Sequence, residues 1–268
     1  SYEEDLTNIF KDVGKRGAFI MQKDLEEFEA NLTNYTGAKH AIGVANATDG
    51  LQICLMAGGL INKGEVLISS HTMIATASAI HYAGGIPVPV ECGKNLMLDI
   101  NSAEEALTDK TVAIMPTQLN GRTCNMDEII HFATKNNLSI FEDAAQALGS
   151  KFKNKYAGTF GIASAISLYP AKILGCLGDG GAILTNDSDV YEKIILLRDH
   201  GRDPVSGEVI SWGFNSRLDN IQAAFLNYFF SKYDEVILKR RFFAQLYDEG
   251  LNEIEEIYLP EPPNNGDH

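Results

Sequence analysis

The sequence predicts an α/β fold in which a mostly parallel central sheet is flanked by helices. Short runs rich in Val and Ile recur along the chain, and segments with helical spacing of apolar residues separate them. Strands that alternate with helices of this length are typical of crossover units, which place neighbouring strands parallel. The chain has 268 residues, of which 45% are hydrophobic, and this is enough apolar material for a sizeable core.

The individual elements follow from local patterns. Leu25, Phe28, Leu32 and Tyr35 recur at helical spacing, and Gly37 follows as a C-cap. The predicted strands are residues 40–45, 65–69, 86–90, 112–116, 138–141, 163–169 and 181–185. The predicted later helices are residues 48–57, 74–83, 126–135, 189–197, 218–230 and 233–251.

Composition excludes several classes of protein. The net charge of −14 argues against a nucleic-acid partner, whose phosphates need clustered Lys and Arg. No run approaches the roughly 20 apolar residues that span a bilayer. Residues 1–5 are acidic and lack the features of a signal peptide, so we expect a cytoplasmic protein with no membrane partner. The four cysteines are scattered and the six histidines are isolated, so we expect neither disulfides nor a metal site.

Three polar segments follow predicted strands, where α/β sheets place their ligand sites. The first, Asn46-Ala47-Thr48, opens a helix, and its backbone N–H groups suit a phosphate. The alternative is an ordinary N-cap by Asn46 or Thr48. The second is Asp143, a carboxylate that would keep a pyridine nitrogen protonated if it paired with one. The alternative is a strand-end Asp that caps the next helix.

The third segment carries Lys172, which follows a buried strand and precedes four glycines at 175, 178, 180 and 181. A desolvated lysine loses its proton and attacks aldehydes, and glycines let a cofactor approach the backbone. The alternative is a surface lysine. These glycines do not match GxGxxG and no GxxxxGK[ST] loop occurs, which argues against a nicotinamide-dependent oxidoreductase and a P-loop.

Taken in order, five segments resemble the sugar-nucleotide aminotransferases of the DegT/DnrJ/EryC1/StrS family, which are fold type I enzymes that use pyridoxal 5′-phosphate (PLP). The likeness extends from about Gly37 to the end of the chain. The segments are Asn46-Ala47-Thr48-Asp49, Glu142-Asp143-Ala144-Ala145-Gln146, Ser167-Leu168-Tyr169-Pro170-Ala171-Lys172, Gly178-Asp179-Gly180-Gly181-Ala182 and Gly213-Phe214-Asn215-Ser216-Arg217-Leu218-Asp219.

The resemblance implies a role for each matching residue. Lys172 would form a Schiff base with PLP and move protons, and Asp143 would pair with the ring nitrogen. The other implied cofactor contacts are Asn46, Ala47, Thr48 and Ser167 around the phosphate, His71 and Met73 at the ring face, Gln146 near the phenolic oxygen, and Asn215, which would reach the phosphate in a neighbouring subunit.

The family moves an amino group from an amino acid, usually L-glutamate, to a keto-sugar carried on a nucleoside diphosphate. The resemblance therefore implies an amino-acid donor, a nucleotide-sugar acceptor and a homodimer with shared active sites. One alternative is a PLP-dependent sugar dehydratase or epimerase of the same fold, although such dehydratases carry histidine in place of the lysine. Another is a non-catalytic regulatory protein that binds PLP.

The sequence departs from the family pattern in three places. Met73 stands where the family commonly has an aromatic residue, so either His71 stacks on the ring or Met73 packs its sulfur there. Asn46-Ala47 replaces a Ser-Gly pair. The family's small C-terminal domain is largely missing: we predict a PLP-binding large domain over residues 1–232, including N-terminal helices, and over residues 233–268 a long helix and a linker that lead to a truncated domain. We therefore expect a chain that binds PLP but turns over poorly.

Overall fold

In the computed structural model, residues 1–60 and 64–259 are described. Their secondary structure alternates strands with helices in the predicted manner. The strands are β1 (His40–Val44), β2 (Glu65–Ser69), β3 (Ile86–Val90), β4 (Thr111–Met115), β5 (Ser139–Asp143), β6 (Lys151–Phe152), β7 (Lys155–Tyr156), β8 (Ala163–Ser167) and β9 (Gly181–Thr185). The helices are α1 (Tyr2–Arg16), α2 (Lys23–Thr36), α3 (Ala47–Ala57), α4 (Ile74–Tyr82), α5 (Ile100–Glu105), α6 (Met126–Lys135), α7 (Ser188–Arg198), α8 (Asn220–Phe230) and α9 (Tyr233–Leu251).

Seven of these strands form one sheet in the order β1-β9-β8-β5-β4-β2-β3. The strands from β8 to β3 pair in parallel, whereas β9 is antiparallel to both of its neighbours, β1 and β8. The carboxyl ends of β1, β2, β4, β5 and β8 therefore lie at one edge of the sheet, together with the amino end of β9. Parallel α/β sheets bind ligands at this edge.

Both faces of the sheet are covered because side chains alternate along each strand. On one face, Ile42, Val66 and Ala165 pack against α3, α4 and α7. On the other face, Ala41 and Leu184 belong to a cluster with α2 and α8. The rest of that second face packs against α5 and α6. The sheet is thus the middle layer of three and has a fixed edge on which a site can be built.

The predicted fold class and all seven predicted strands are confirmed, with shifts at some ends. Asp143 was expected after its strand but is the last residue of β5, because its N–H donates to the Pro116 carbonyl (3.1 Å) and its carbonyl accepts from the Gln118 N–H (2.9 Å). The predicted strand 163–169 ends earlier, at Ser167. The short helix α5 and the small β6–β7 hairpin were not predicted.

The two ends of the described chain are helical. Helix α1 begins with a capping box in which Ser1 and Glu4 bond reciprocally. Helix α9 is anchored by its first residue, Tyr233, whose hydroxyl donates to the Leu148 carbonyl at 2.8 Å, and most of its remaining residues are exposed. The predicted linker, residues 259–266, lies outside the described residues apart from Leu259. Among the described helices, none has the length and apolarity required to cross a membrane.

Candidate active site

At the carboxyl edge, Gly181 lies between the segment Asn46-Ala47-Thr48 and the end of β8, which leads to Lys172. Gly181 pairs with Val44 at the end of β1 and with Ser167 at the end of β8. A Cβ atom on Gly181 would lie 2.6 Å from the carbonyl carbon of Asn46 and 2.7 Å from the amide nitrogen of Ala47. Only glycine allows this approach, which sets the start of α3 beside Ser167.

The start of α3 has the geometry of an N-cap and leaves two amides available. The Asn46 side chain accepts a hydrogen bond from the Asp49 N–H at 2.8 Å, as the N-cap interpretation predicts. The N–H groups of Ala47 and Thr48 precede the first intrahelical bonds, and in the described part of the chain no hydrogen bond is recorded for them. Such a helix start attracts anions.

Asp143 is a buried carboxylate in a defined hydrogen-bond environment. One oxygen accepts from the Thr76 hydroxyl at 2.6 Å and the other from the Ala145 N–H at 3.1 Å. Burial raises the pKa of Asp143, while the bonds from Thr76 and Ala145 and the charge of Lys172 act to lower it. A buried carboxyl group whose pKa stays raised despite such contacts is typical of a functional site.

Lys172 lies close enough to Asp143 for its charge to act on that carboxylate. It follows β8 in a turn where its N–H donates to the Tyr169 carbonyl at 2.8 Å, and its side chain is half-buried. It lines a cavity of about 910 Å³ together with Gln146 and Ser167. The lysine is therefore directed into a cleft, which argues against the alternative of a surface lysine.

The lining of this cavity is basic overall, because Lys172 and three arginines outnumber one acidic residue, Asp248. Arg240 and Arg241 of α9 line it, and Arg122 contributes from the turn that follows β4. Gln146 joins this turn to the site, because its side-chain oxygen accepts from the Asn120 N–H and its carbonyl from the Gly121 N–H, both at 3.0 Å. In a chain with a net charge of −14, this local excess of positive charge favours an anion in the cleft.

Three groups of predicted contacts, and Asp143 itself, do not line this cavity. His71 and Met73 are exposed in the loop before α4, and the side chain of Met73 is 64% exposed. Asn215 is also exposed, in the segment between α7 and α8. The start of α3, with Asn46, Ala47 and Thr48, lies at the same sheet edge but outside the cavity lining.

Sequence reasoning missed a set of polar side chains packed around Asp143. Thr76 donates a hydrogen bond to Asp143, Thr72 is hydrogen-bonded to Thr76, and Thr117 donates to Thr72. Glu142, also fully buried, accepts from the Gln118 side chain. Threonines carry no spacing signal of their own, and Thr72 lies in the loop before α4, so no sequence pattern indicated that Thr72 and Thr76 would meet.

The Glu142 carboxylate holds the segment before β8 in place. One oxygen accepts from the Gln118 side chain and the Gly158 N–H, both at 2.8 Å. The other accepts from the N–H groups of Phe160 at 2.6 Å and Gly161 at 3.0 Å. The two adjacent carboxylates of β5 thus have different roles. Asp143 takes part in the candidate site, and Glu142 fixes the loop beside it.

Comparison with known proteins gives a consistent result. The model of the DegT/DnrJ/EryC1/StrS aminotransferase family matches residues 1–268. The dTDP-3-amino-3,4,6-trideoxy-alpha-D-glucose transaminase of Streptomyces venezuelae is 38% identical over 246 residues, which cover 91% of this chain and 64% of that protein. The crystal structure of S. venezuelae DesV superposes with a TM-score of 0.93 at 35% identity, covering 98% of this chain and 71% of that one.

A third relative bears on the cofactor. The structure of NtdA from Bacillus subtilis, described as having bound cofactor PMP, has a TM-score of 0.86 at 32% identity and covers 96% of this chain and 60% of that one. This chain spans about two thirds of the length of the curated relatives it matches. The family prediction made from five sequence segments is confirmed, and the chain belongs to the DegT/DnrJ/EryC1/StrS aminotransferases, a family of PLP-dependent enzymes.

Proposed function

We propose that this chain provides the cofactor site of a PLP-dependent aminotransferase that moves an amino group from an amino acid to a keto-sugar nucleotide. The observation that carries the proposal is that Asp143 ends β5 at the carboxyl edge of the sheet, near enough to Lys172 for the lysine charge to lower the pKa of Asp143, while Lys172 lines a cleft together with arginines. We further propose that residues 1–232 form the cofactor-binding domain and that L-glutamate is the amino donor.

The residues at the carboxyl edge fit PLP in their chemistry. A buried carboxylate at Asp143 suits a protonated pyridine nitrogen, and a lysine in a cleft suits the cofactor's aldehyde. The start of α3 offers two backbone amides and the Thr48 hydroxyl for the phosphate, and Ser167 adds a second hydroxyl from β8. The close approach of Gly181 to Asn46 and Ala47 keeps these donors together.

Each side chain has a task in the proposed reaction. When bound, the cofactor supplies an electron-withdrawing ring that stabilises negative charge on the amino donor. Asp143 holds the proton on the ring nitrogen. Lys172 holds the cofactor and then carries a proton as a base and as an acid, a role for which its position in a cleft leaves it room to move. Gln146 orients the ring's phenolic oxygen.

The basic lining of the cavity supports a phosphorylated acceptor. Arg240 and Arg241 have no ion pair in the described part of the chain, so both guanidinium groups are free to bind an anion. Arginine donates paired hydrogen bonds to phosphate oxygens. We propose that these two residues bind the diphosphate of the nucleotide sugar while Lys172 faces the sugar.

We also propose a homodimer in which Asn215 serves the partner's site. The segment that carries Asn215 exposes large apolar side chains: Trp212 is 96% exposed, Val209 63% and Ile210 60%. Apolar groups exposed next to one another favour burial against a second surface. The exposure of Asn215 outside its own chain's cavity is consistent with a contact in another subunit.

The first test is absorbance of the purified chain with added PLP, before and after borohydride, with mass mapping of the product. We expect a visible band and a stable adduct on Lys172. Lys172→Ala should remove both and leave folding unchanged, because Lys172 lies in a turn at the edge of the sheet. Lys193→Ala, an exposed position on α7, is the matched control. A stable adduct in the Lys172→Ala protein would refute the assignment.

The second test concerns the acceptor and the dimer. We expect the double change Arg240→Ala and Arg241→Ala to weaken binding of a nucleoside diphosphate by about tenfold or more, measured by calorimetry. Lys239→Ala, the adjacent exposed cation, should leave binding close to wild type. Equal losses in both proteins would mean that the arginines act only through net charge. A chain that is monomeric in solution at full PLP occupancy would refute the dimer.

The main alternative is a regulatory protein that binds PLP and performs no transfer. A single-turnover experiment separates the two, since an aminotransferase converts L-glutamate to its 2-oxo acid with loss of the visible band. A regulatory protein that binds PLP without transferring an amino group keeps the visible band unchanged.

A further inference from the structure

Three threonines from separate segments form a continuous hydrogen-bond chain that ends on Asp143. The Thr117 hydroxyl donates to Thr72 at 2.9 Å, Thr72 and Thr76 are 2.7 Å apart, and Thr76 donates to Asp143 at 2.6 Å. Thr117 follows β4, Thr72 lies in the loop before α4, and Thr76 is in the first turn of α4. Thr76 and Thr117 are buried and Thr72 is half-buried.

The direction of this chain follows from counting protons. An ionised carboxylate accepts only, and each hydroxyl has one proton to give. Thr76 gives its proton to Asp143, so Thr72 must be the donor to Thr76, and Thr117 is the donor to Thr72. All three protons therefore point toward one oxygen of Asp143. Aligned hydroxyls polarise one another and strengthen the last bond.

A protonated Asp143 fits this chain less well. If the proton were on the oxygen that faces Thr76, the Thr76 hydroxyl could no longer donate to Asp143, and the last bond of the chain would reverse. With Asp143 ionised, each of the three hydroxyls donates along the chain and the last donates to the carboxylate. The arrangement matches the ionised form of Asp143.

We propose that Thr76, Thr72 and Thr117 are positioning residues that stabilise the ionised form of Asp143 against its burial and so keep the proton of the PLP–Asp143 pair on the ring nitrogen. The proposal rests on the proposed function for its role in catalysis. Among charged groups, Lys172 acts on Asp143 from the turn after β8. The neighbouring Glu142 faces Gln118 and the loop at Gly158, and His71, next to Thr72, is exposed.

The chain also ties the proton affinity of Asp143 to three parts of the fold. Thr76 is 67 residues from Asp143 in sequence, and Thr117 is 45 residues from Thr72. A change in any of these segments that lengthens one hydrogen bond of the chain therefore alters the proton affinity of Asp143. The inner hydroxyl should have the largest effect and the outer ones smaller effects.

The test measures the Asp143 carboxyl itself, by ¹³C NMR titration of the 268-residue chain with and without PLP, with Asp143→Asn to assign the signal. We expect Thr76→Val to raise the titration midpoint by about one pH unit or more, as loss of a hydrogen bond to a charged group predicts. Thr117→Val should give a smaller rise in the same direction. With ¹⁵N-labelled PLP bound, Thr76→Val should move the ring nitrogen signal toward its unprotonated position.

Two control variants separate this role from a structural one. Thr76→Ser keeps the hydroxyl and should restore both signals. Thr36→Val removes a buried threonine hydroxyl that donates to the Leu32 carbonyl in α2 at 2.7 Å, so it should lower stability and shift neither signal. An unchanged midpoint in Thr76→Val, or an equal shift in Thr36→Val, would overturn the proposal.

Failure of the proposal and failure of the proposed function give different results. If the wild-type chain forms no adduct with PLP, the proposed function fails, and the carboxyl titration in the cofactor-free chain still decides whether the threonines act on Asp143. If the adduct forms but Thr76→Val leaves the carboxyl and ring signals in place, only the threonine proposal fails. If Thr76→Val does not fold, the direction of the Thr117→Val shift decides.

Discussion

We expect Glu142→Gln to destabilise the fold by much more than the loss of a single surface charge would, because the Glu142 carboxylate is an acceptor on both oxygens. It receives the Gln118 amide and the Gly158 N–H on one oxygen, and the N–H groups of Phe160 and Gly161 on the other. Glutamine has the same shape, but it replaces one of these oxygens with an NH₂ group, which donates and cannot accept.

The magnitude follows from the donors that would lose their acceptor. Whichever way the new amide is turned, two N–H groups face its nitrogen, and each lost bond costs about 1–3 kcal/mol. If the new NH₂ group faces Gln118 and Gly158, rotating the Gln118 amide does not restore a hydrogen bond, because the Gln118 oxygen already accepts from the Cys124 N–H at 2.7 Å. We therefore expect a loss of at least about 2 kcal/mol in the free energy of unfolding.

Urea unfolding followed by circular dichroism is a suitable assay. The matched control is Glu104→Gln, which removes an exposed pair with Lys135 at 3.2 Å and should cost no more than about 0.5 kcal/mol. If Glu142→Gln also cost less than about 0.5 kcal/mol, the carboxylate would not be holding the Gly158–Gly161 segment, and the reasoning would be refuted.

Three further outcomes can be measured. Gly181→Ala should lower both stability and PLP affinity, measured by urea unfolding and cofactor titration, because its Cβ would lie 2.6 Å from the Asn46 backbone. Tyr233→Phe should cost about 1–2 kcal/mol of stability in urea, because the buried Leu148 carbonyl loses its partner. Burial raises the pKa of Asp143, so the cofactor-free folded chain keeps a proton that the unfolded chain has released. Its free energy of unfolding should therefore fall as pH rises from about 4 through that raised pKa, and Asp143→Asn should remove the fall.

Each of these outcomes has a control. Gly250→Ala is made where no atom lies within 4 Å and should stabilise α9 slightly. Tyr247→Phe changes a tyrosine that is 69% exposed and should be neutral. Asp109→Asn, at an exposed position, should preserve the pH dependence of the wild type. The corresponding prediction is contradicted if variant and control behave alike.

The architecture was predictable because the sequence is locally consistent. Val- and Ile-rich runs marked all seven strands of the main sheet, and apolar spacing gave α6 and α9 their observed bounds. The order of strands and the reversal of β9 were not predictable, since they depend on pairing between distant segments. N-terminal helices were predicted, but the bounds of α1 were not, although its N-terminal signal, Ser1 followed by Glu4, was present in the sequence.

The sequence predicted those residues of the candidate site whose type is unusual for their position, and it missed the others. A lysine before a run of glycines and an Asp at a strand end both carry a chemical signal. Thr76 and Thr117 carry none, because a threonine becomes part of the site only through its contact with Asp143. Arg240 and Arg241 looked like ordinary charges on an amphipathic helix until the structure placed them in the lining of the same cavity as Lys172.

The reversal of β9 has a consequence for how the protein folds. The antiparallel pair of β8 and β9 brings Ser167 to Gly181 across the connection 168–180, which carries Lys172, so this part of the site can form from contacts that are nearer in sequence than those of Asp143. The Asp143 side requires parallel pairing of β4 with β5 and a contact to Thr76 across 67 residues, which is slow to close. In the proposed site PLP would be held from both sides, so it would bind only the completed fold and stabilise that native state by mass action.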